Sequence, residues 1–175
     1  MKKILIYVTL LSLIYTISAL GASEPPLSES DKATVKQGLA DAVKSKRITQ
    51  QQYTQALSWV DAAPCEGIER DVTIKGKANL ANAIKKQLRL KTVDVLQTFR
   101  SEGWTIVYVD TKVSDEPYLF YSGDPVLARK PVTQWSGAAM IFETSEVERW
   151  VLDNAPGIPK RLAACFAWHV TLNRD

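Results

Sequence analysis

The sequence predicts an α+β domain in which N-terminal helices are followed by a small antiparallel sheet with one helix inserted before its last strand. Strand-favouring β-branched and aromatic residues dominate the first two of three apolar runs, 104–111, 118–122 and 135–142. Ahead of these runs, apolar residues recur at helical spacing in 31–62 and 78–102. After these runs, Ser145 and Glu148 have the spacing of a capping box and begin the inserted helix. The last strand, residues 165–172, follows this helix.

Residues 1–22 have the pattern of a secretory signal peptide. Lys2 and Lys3 precede an apolar run from Ile4 to Ile17, and small residues suited to cleavage follow up to Ala22. The alternative is an uncleaved membrane anchor, but a span needs about 20 apolar residues and this run is shorter. The short Lys-Lys start is typical of bacterial signals. We therefore expect a periplasmic or secreted protein with no stable membrane anchor after cleavage.

The segment that follows the signal, residues 23–30 (SEPPLSES), is expected to be a disordered lead-in because it has little apolar surface to bury. Residues 31–175 then fit a single domain. The whole chain has a net charge of +3, and removal of Lys2 and Lys3 leaves +1, with 20 basic against 19 acidic residues. Since no dense basic run appears either, no nucleic-acid partner is predicted.

Two cysteines, Cys65 and Cys165, predict one disulfide in an exported protein. This bond would join the end of the N-terminal helical region to the C-terminal segment. It would close a loop of about 100 residues, which the chain-entropy model values at about 4–5 kcal/mol. Two buried free thiols, or one reactive thiol, are the alternatives.

Residues 31–62 predict a helical hairpin. Ser30 or Asp31 caps a first helix that extends to about Lys46, and its buried stripe consists of Val35, Leu39 and Val43. Thr49 and Gln52 have capping-box spacing and open a second helix to about Ala62, whose stripe consists of Tyr53, Leu57 and Val60.

Two further helices are predicted between residues 78 and 102. The first extends from Ala78 to Leu90, with an apolar line of Leu80, Ile84 and Leu88. The second extends from Thr92 to Ser101 and is ended by Gly103, and its inward residues are Val95, Leu96 and Phe99. A short strand at 72–74 is expected before them.

The first connection in the predicted sheet is acidic. Asp110, Asp115 and Glu116 lie in or beside it, at one edge of the sheet. The calcium-loop pattern is absent from these residues. Acidic residues in a loop can select a basic partner by charge complementarity, so we predict that these three residues bind a partner protein.

The second connection, residues 123–133, is long, and loops of this length in compact domains often bind other molecules. Asp124 and Arg129 are its predicted partner-binding residues, and Val126 and Leu127 are expected to be exposed beside them. Trp135 follows the loop and is included because Trp is enriched at the energetic centres of protein interfaces.

The C-terminal segment fits two structures. As a strand, residues 165–172 place Phe166, Trp168, Val170 and Leu172 on one face. As a helix started by Pro159, the segment places another set on one face, namely Ile158, Leu162, Cys165, Phe166 and His169. The terminal WHVTL favours the strand, and residues 159–164 are left open.

Motifs for catalysis and metal binding are sparse. The single histidine, His169, excludes a His-rich zinc site. Cys165 and His169 on one strand would lie about 13 Å apart at about 3.3 Å per residue, too far for a direct hydrogen bond. We therefore assign no catalytic residue, metal or cofactor, and we expect His169 to be structural or to face a partner.

These observations favour an exported cell-envelope protein that binds another protein, such as an inhibitor or an immunity protein against a secreted toxin or hydrolase. One alternative is a small envelope hydrolase, because two carboxylates that meet in space need no sequence motif. The other is a module that binds a small molecule or a wall fragment through aromatic residues around the sheet.

Overall fold

The computed structural model describes residues 26–70, 72–113 and 115–172. Within these residues the chain forms five α-helices and four β-strands. The elements in order are α1 (Glu29–Lys44), α2 (Gln50–Val60), α3 (Ile74–Leu88), β1 (Asp94–Ser101), β2 (Trp104–Asp110), β3 (Tyr118–Ser122), β4 (Thr133–Trp135), α4 (Thr144–Asn154) and α5 (Lys160–Leu172). The α+β class, with helices first and an antiparallel sheet after them, is confirmed.

The predicted signal peptide lies outside the described residues. Among the helices of the described part, none is both long enough and apolar enough to cross a bilayer.

The predicted helical hairpin is present as α1 and α2. Thr49 and Gln52 form the expected capping box, in which each residue binds the backbone N–H of the other. α1 begins earlier than expected, inside the predicted disordered lead-in, because Ser28 Oγ accepts a hydrogen bond from the Asp31 N–H and caps the helix. The buried centre of the hairpin consists of Leu39, Ile48, Ala56 and Val60.

The sheet is antiparallel throughout, with the strands in chain order. The predicted helix over 92–101 is wrong, because β1 occupies this segment. Gly103 is therefore not a helix stop. It forms a two-residue turn with Glu102, at φ values of 78° and 47°, between the paired residues Ser101 and Trp104. Positive φ at both central residues is the geometry that joins two twisted strands most tightly.

The chain before the sheet also differs from the prediction. Residues 72–74 do not form a strand, because Thr73 Oγ1 accepts a hydrogen bond from the Gly76 N–H and starts α3 at Ile74. The segment that precedes α3 covers the outer edge of β1. Glu69 and Arg100 exchange two backbone hydrogen bonds, of 3.1 and 2.8 Å.

Both faces of the sheet are buried. Trp104 and Ile106 contribute to a core that also contains α4 and α5. Val107 and Val109, on the opposite face, pack in a second core with Leu80 and Ile84 of α3. The sheet thus lies between α3 on one side and α5 on the other.

The third predicted strand, 135–142, is wrong beyond its first residue, because β4 covers 133–135 and shares only Trp135 with it. β4 ends at Trp135, and residues 136–140 are irregular before a single 3₁₀ turn at Ile141–Glu143. α4 begins at Thr144, so Ser145 lies inside the helix and does not form a capping box with Glu148. Instead, Ser145 Oγ accepts a hydrogen bond of 3.0 Å from Trp59 Nε1, which joins α4 to α2.

The predicted last strand, 165–172, is wrong, because this segment belongs to α5. No helix is therefore inserted before a final strand, and two helices follow the sheet instead. Eight of the thirteen residues of α5 are buried. A helix that is buried nearly all round lacks a polar face, and periodicity alone does not distinguish it from a buried strand.

The predicted disulfide is confirmed. Cys65 and Cys165 are bonded, with their Cα atoms 4.6 Å apart and a sequence separation of 100 positions. The bond joins the segment after α2 to the buried side of α5.

Candidate functional site

The six predicted partner-binding residues are divided between the two ends of the sheet. Asp110 ends β2, and Asp115 and Glu116 precede β3 at the same end. Asp124 and Arg129 follow β3, which runs the length of the sheet to the opposite end. Trp135, on β4, pairs with Tyr118 and so returns to the end occupied by Glu116. The structure therefore does not bring the six residues together.

The carboxylates of Asp110 and Glu116, at the acidic end, accept hydrogen bonds from within the chain. Asp110 accepts hydrogen bonds from Lys112, through the backbone N–H at 2.8 Å and through Nζ at 2.5 Å. These bonds hold the pKa of Asp110 below its ordinary value and raise the pKa of Lys112. Lys112 Nζ also lies 3.3 Å from Asp94. Glu116 accepts a hydrogen bond of 2.6 Å from the Tyr108 hydroxyl.

At the opposite end, the chain after β3 forms a defined turn. Asp124 begins it, because its side-chain Oδ1 accepts the Val126 N–H at 2.8 Å. Its backbone oxygen accepts both the Leu127 and the Ala128 N–H groups, each at 3.1 Å. The carboxylate of Asp124 is thus used inside the turn, and residues 124–128 have a fixed backbone.

Gln87 of α3 holds this turn against the body of the protein. Its Nε2 donates to the carbonyl oxygens of Pro125 and Ala128, at 2.7 and 2.9 Å. Its Oε1 accepts a hydrogen bond of 2.8 Å from the Tyr121 hydroxyl. Because Tyr121 is 1 % exposed, burial raises its pKa, and the hydroxyl remains a donor at neutral pH. We call residues 123–132 the clamped loop.

The clamped loop presents apolar and basic side chains to solvent. Leu127 is 81 % exposed, and Val126 and Val132 are also exposed. Arg129 and Lys130 follow Leu127 and are exposed as well. Beside the loop, Val126 lines a groove of about 320 Å³ whose other wall is formed by Asn79, Asn82 and Lys86 of α3. Exposed apolar side chains on a fixed backbone are thus followed directly by two exposed basic residues.

Trp135 has a different environment. An aromatic row crosses the sheet from Tyr108 to Tyr118 to Trp135, with ring centroids 4.2 and 6.0 Å apart. Trp135 also packs edge-on against Phe166 of α5, at 5.6 Å. With Trp150 of α4 it lines an open groove of about 330 Å³ that is separate from the clamped loop.

The described residues contain no arrangement for the nucleophilic or metal chemistries weighed above. His169 is buried against the Phe99 ring, at 4.9 Å, and Cys165 has no thiol to offer because it is oxidised. No group of three or more His, Cys, Asp or Glu residues in the described part of the chain could hold a metal ion. Burial raises the pKa of Glu148, with Lys160 opposing the shift, but Glu148 does not line either groove described above.

The loop is predictable from the sequence, but the residues that hold its backbone in place are not. Gln87 lies 38 residues from Pro125 and 34 from Tyr121. No local pattern marks such a contact, because a glutamine on a helix is ordinarily a solvated residue. Nothing in the local sequence marks Trp150 as a groove residue either, and only the course of residues 136–140 shows that it lines one.

Comparisons with protein-family models, with curated proteins and with solved structures found no match to this chain.

Proposed function

We propose that this chain binds another protein through the clamped loop, as an inhibitor or an immunity protein does. The observation that carries the proposal is the combination of an 81 % exposed Leu127 with a backbone that Gln87 fixes at two carbonyl groups. An exposed leucine on a mobile loop needs no explanation. An exposed leucine on a backbone that part-buried hydrogen bonds hold in place presents a preformed contact surface.

Two free-energy terms determine how well the clamped loop can bind a partner. Burial of a leucine side chain at an interface contributes about 1.5–3 kcal/mol. Ordering a flexible loop on binding opposes association by about 0.5–1.5 kcal/mol for each immobilised side chain. In the clamped loop, the bonds from Gln87 to Pro125 and Ala128 are already made in the free protein. The cost of ordering the backbone is therefore met on folding.

Charge indicates which partner surface fits. Arg129 and Lys130 are exposed in the loop, and Lys86 is exposed on the adjacent face of α3. Asp124 is the acidic residue of the loop, and its Oδ1 is occupied by the Val126 N–H. The surface is therefore basic around an apolar centre. Its complement is an apolar pocket with an acidic rim, because complementary potentials accelerate encounter and select the partner.

The disulfide and the signal-like N-terminal sequence both support binding in an oxidising compartment. A Cys65–Cys165 bond persists in oxidising compartments, which include the periplasm and the extracellular medium. We accordingly place the interaction in the cell envelope or outside the cell, with a secreted or envelope protein as the partner.

The test compares two variants that each introduce Asp at an exposed apolar position. Leu127→Asp alters the centre of the loop, and Ile74→Asp alters the first residue of α3, which is 91 % exposed and lies outside the loop. The disulfide-bonded protein is immobilised, envelope and secreted extracts are passed over it, and the retained protein is identified and purified. Its affinity for the wild type and both variants is then measured by calorimetry.

We expect Leu127→Asp to weaken binding by about 10–100-fold, which corresponds to loss of about 1.5–3 kcal/mol, and Ile74→Asp to bind as the wild type does. Equal affinities for both variants would refute the loop as the binding surface. Val113→Lys, at the acidic end, where Val113 is 72 % exposed, tests the predicted acidic surface, because a positive charge there should weaken the binding of a basic partner. If the partner has an enzymatic activity, inhibition at a one-to-one ratio separates an inhibitor from a passive binder.

A further inference from the structure

The groove between β4 and α4 has a chemistry that the clamped loop lacks. Two half-buried tryptophans, Trp135 and Trp150, line it together with two carboxylates, Glu143 and Glu146. The other residues that line this groove are small or apolar, and none of them is basic. An open groove of about 330 Å³ lies at the lower end of the volumes that hold small ligands.

Both indole rings are anchored in the core and do not rotate freely. Trp135 packs edge-on against Phe166, with an interplanar angle of 84° and a centroid distance of 5.6 Å. Trp150 packs edge-on against Phe120 at 6.3 Å. Each ring is thus fixed on its core side while it also lines the groove. The aromatic surface in the groove is therefore preformed.

Neither carboxylate has a cationic partner in the described part of the chain. Glu143 accepts the Met140 N–H at 2.7 Å, which fixes its side chain beside the groove through one oxygen. Glu146 is exposed. Arg149 follows Glu146 by three positions on α4, but no ion pair joins them among the described residues. Two negative charges therefore lie at a groove that contains no positive charge.

We propose that this groove binds an organic cation, specifically a primary or quaternary ammonium group on an aliphatic stem. The face of an indole ring attracts a cation through its quadrupole, and the attraction is strongest where the cation is partly desolvated. Glu143 and Glu146 supply the balancing charge, and the aliphatic stem contacts the apolar wall. An anion would meet repulsion from both carboxylates.

Four probes test the proposal. Three have a six-carbon chain and differ in the charge of their head group, and the fourth is a neutral saccharide. The intact, disulfide-bonded protein is titrated by calorimetry with hexyltrimethylammonium, hexylamine, hexanoate and methyl β-glucoside. We expect one-to-one binding of both cations, at least tenfold tighter than that of hexanoate or the glucoside, and weaker at higher salt. Equal affinity for hexylamine and hexanoate would reduce the groove to an apolar surface. Binding of the glucoside in preference to the cations would overturn the proposal in favour of a saccharide.

Variants locate the binding. Glu146→Gln, a change of charge alone on an exposed helical residue, should weaken hexyltrimethylammonium about three- to tenfold and reduce the salt dependence. Glu102→Gln, which removes an exposed carboxylate in the β1–β2 turn, is the matched control and should leave binding unchanged. Trp150→Leu should weaken binding at least tenfold. If Trp150→Leu fails to fold, the comparison of Glu146→Gln with Glu102→Gln still decides, and equal affinities for those two variants would refute the site.

The cation site and the protein-binding role of the clamped loop can be tested independently of each other. The loop carries Leu127 at the opposite end of β4 from Trp135. We therefore expect Leu127→Asp to bind hexyltrimethylammonium with wild-type affinity, and Glu146→Gln to bind the protein partner as the wild type does.

Discussion

At the scale of single residues, Gln87 is notable because its amide is fully used. Two hydrogen bonds to carbonyl groups and one from a buried hydroxyl attach a surface loop to a helix. The contribution of such a residue is measured best by its removal, because the partners that are left behind lose their hydrogen bonds and one of them, the Tyr121 hydroxyl, is buried.

Gln87→Leu should lower the free energy of unfolding by about 1–3 kcal/mol, chiefly because the buried Tyr121 hydroxyl loses its acceptor. It should also accelerate amide hydrogen exchange at residues 126–128 without affecting β2. Urea unfolding and exchange measured by NMR test the two expectations. Gln55→Leu on α2, where Gln55 is exposed, is the control for the added leucine. Unchanged exchange in the loop would mean that Gln87 does not hold it.

Tyr121 gives the protein a predicted sensitivity to alkali. Burial raises its pKa above the ordinary value of 10, so the folded protein keeps the phenolic proton at a pH where the unfolded chain has lost it. The unfolded state then binds fewer protons, and stability falls as the pH rises above about 10. Tyr121→Phe should flatten this part of the pH–stability curve, although at pH 7 it costs about 0.5–1.5 kcal/mol through the lost bond to Gln87. Urea unfolding between pH 7 and 11 checks this, and an equally steep decline in the variant would contradict it.

At the scale of elements, β1 shows how a local defect hides a strand. Val95 pairs with Val109 and Gln97 pairs with Tyr108, so Leu96 is an extra residue that forms a bulge. The bulge reverses the side-chain alternation, and Val95 and Phe99 consequently pack in different cores. In the sequence, Val95, Leu96 and Phe99 have helical spacing. The carbonyl of Leu96 accepts a hydrogen bond of 3.1 Å from Lys77 Nζ, a contact that no local pattern marks.

α5 shows the opposite error, since a helix was read as a strand. Its alternating Phe166, Trp168 and Val170 are all buried because α5 packs between the sheet and the other helices. By contrast, the hairpin of α1 and α2 was predictable because its signals are local: a capping box and one apolar stripe on each helix. The disulfide was predictable because two cysteines allow a single pairing. The groove was not, because it depends on how residues 136–140 pass α4.

The turn between β1 and β2 provides a test with a built-in control. Gly103 has φ of 78° and no atom within 4 Å of an added Cβ, so Gly103→Ala introduces backbone strain alone and should cost about 1–2 kcal/mol. Gly38 lies inside α1 and is equally open, so Gly38→Ala should stabilise by about 0.5–1 kcal/mol. Urea unfolding measures both. Changes of the same sign would contradict the assigned backbone conformations.

At the scale of the whole molecule, the disulfide joins parts that are remote in sequence. Cys65 follows the helical hairpin and Cys165 lies at the centre of α5. The bond therefore restricts the unfolded chain across the entire sheet.

Replacement of both cysteines by Ala should lower the free energy of unfolding by about 4–5 kcal/mol, the value expected for a closed loop of about 100 residues. The native contacts around α5 should survive, because Leu162, Phe166 and Ala167 pack independently of the sulfur atoms. Urea unfolding of the variant and of the oxidised wild type provides the comparison. A difference below about 1 kcal/mol would show that the unfolded chain is already restricted in this region.

The position of α5 in the chain affects how the protein is made. It follows every strand in order of synthesis, yet its side chains cover the sheet face that contains Phe99, Ile106 and Phe120. Until α5 emerges, a nascent chain with its β1–β2–β3 hairpins already formed presents that aromatic face to water, where it can associate with other chains. A chaperone that binds such a face would protect the chain in the interval between the synthesis of β3 and that of α5.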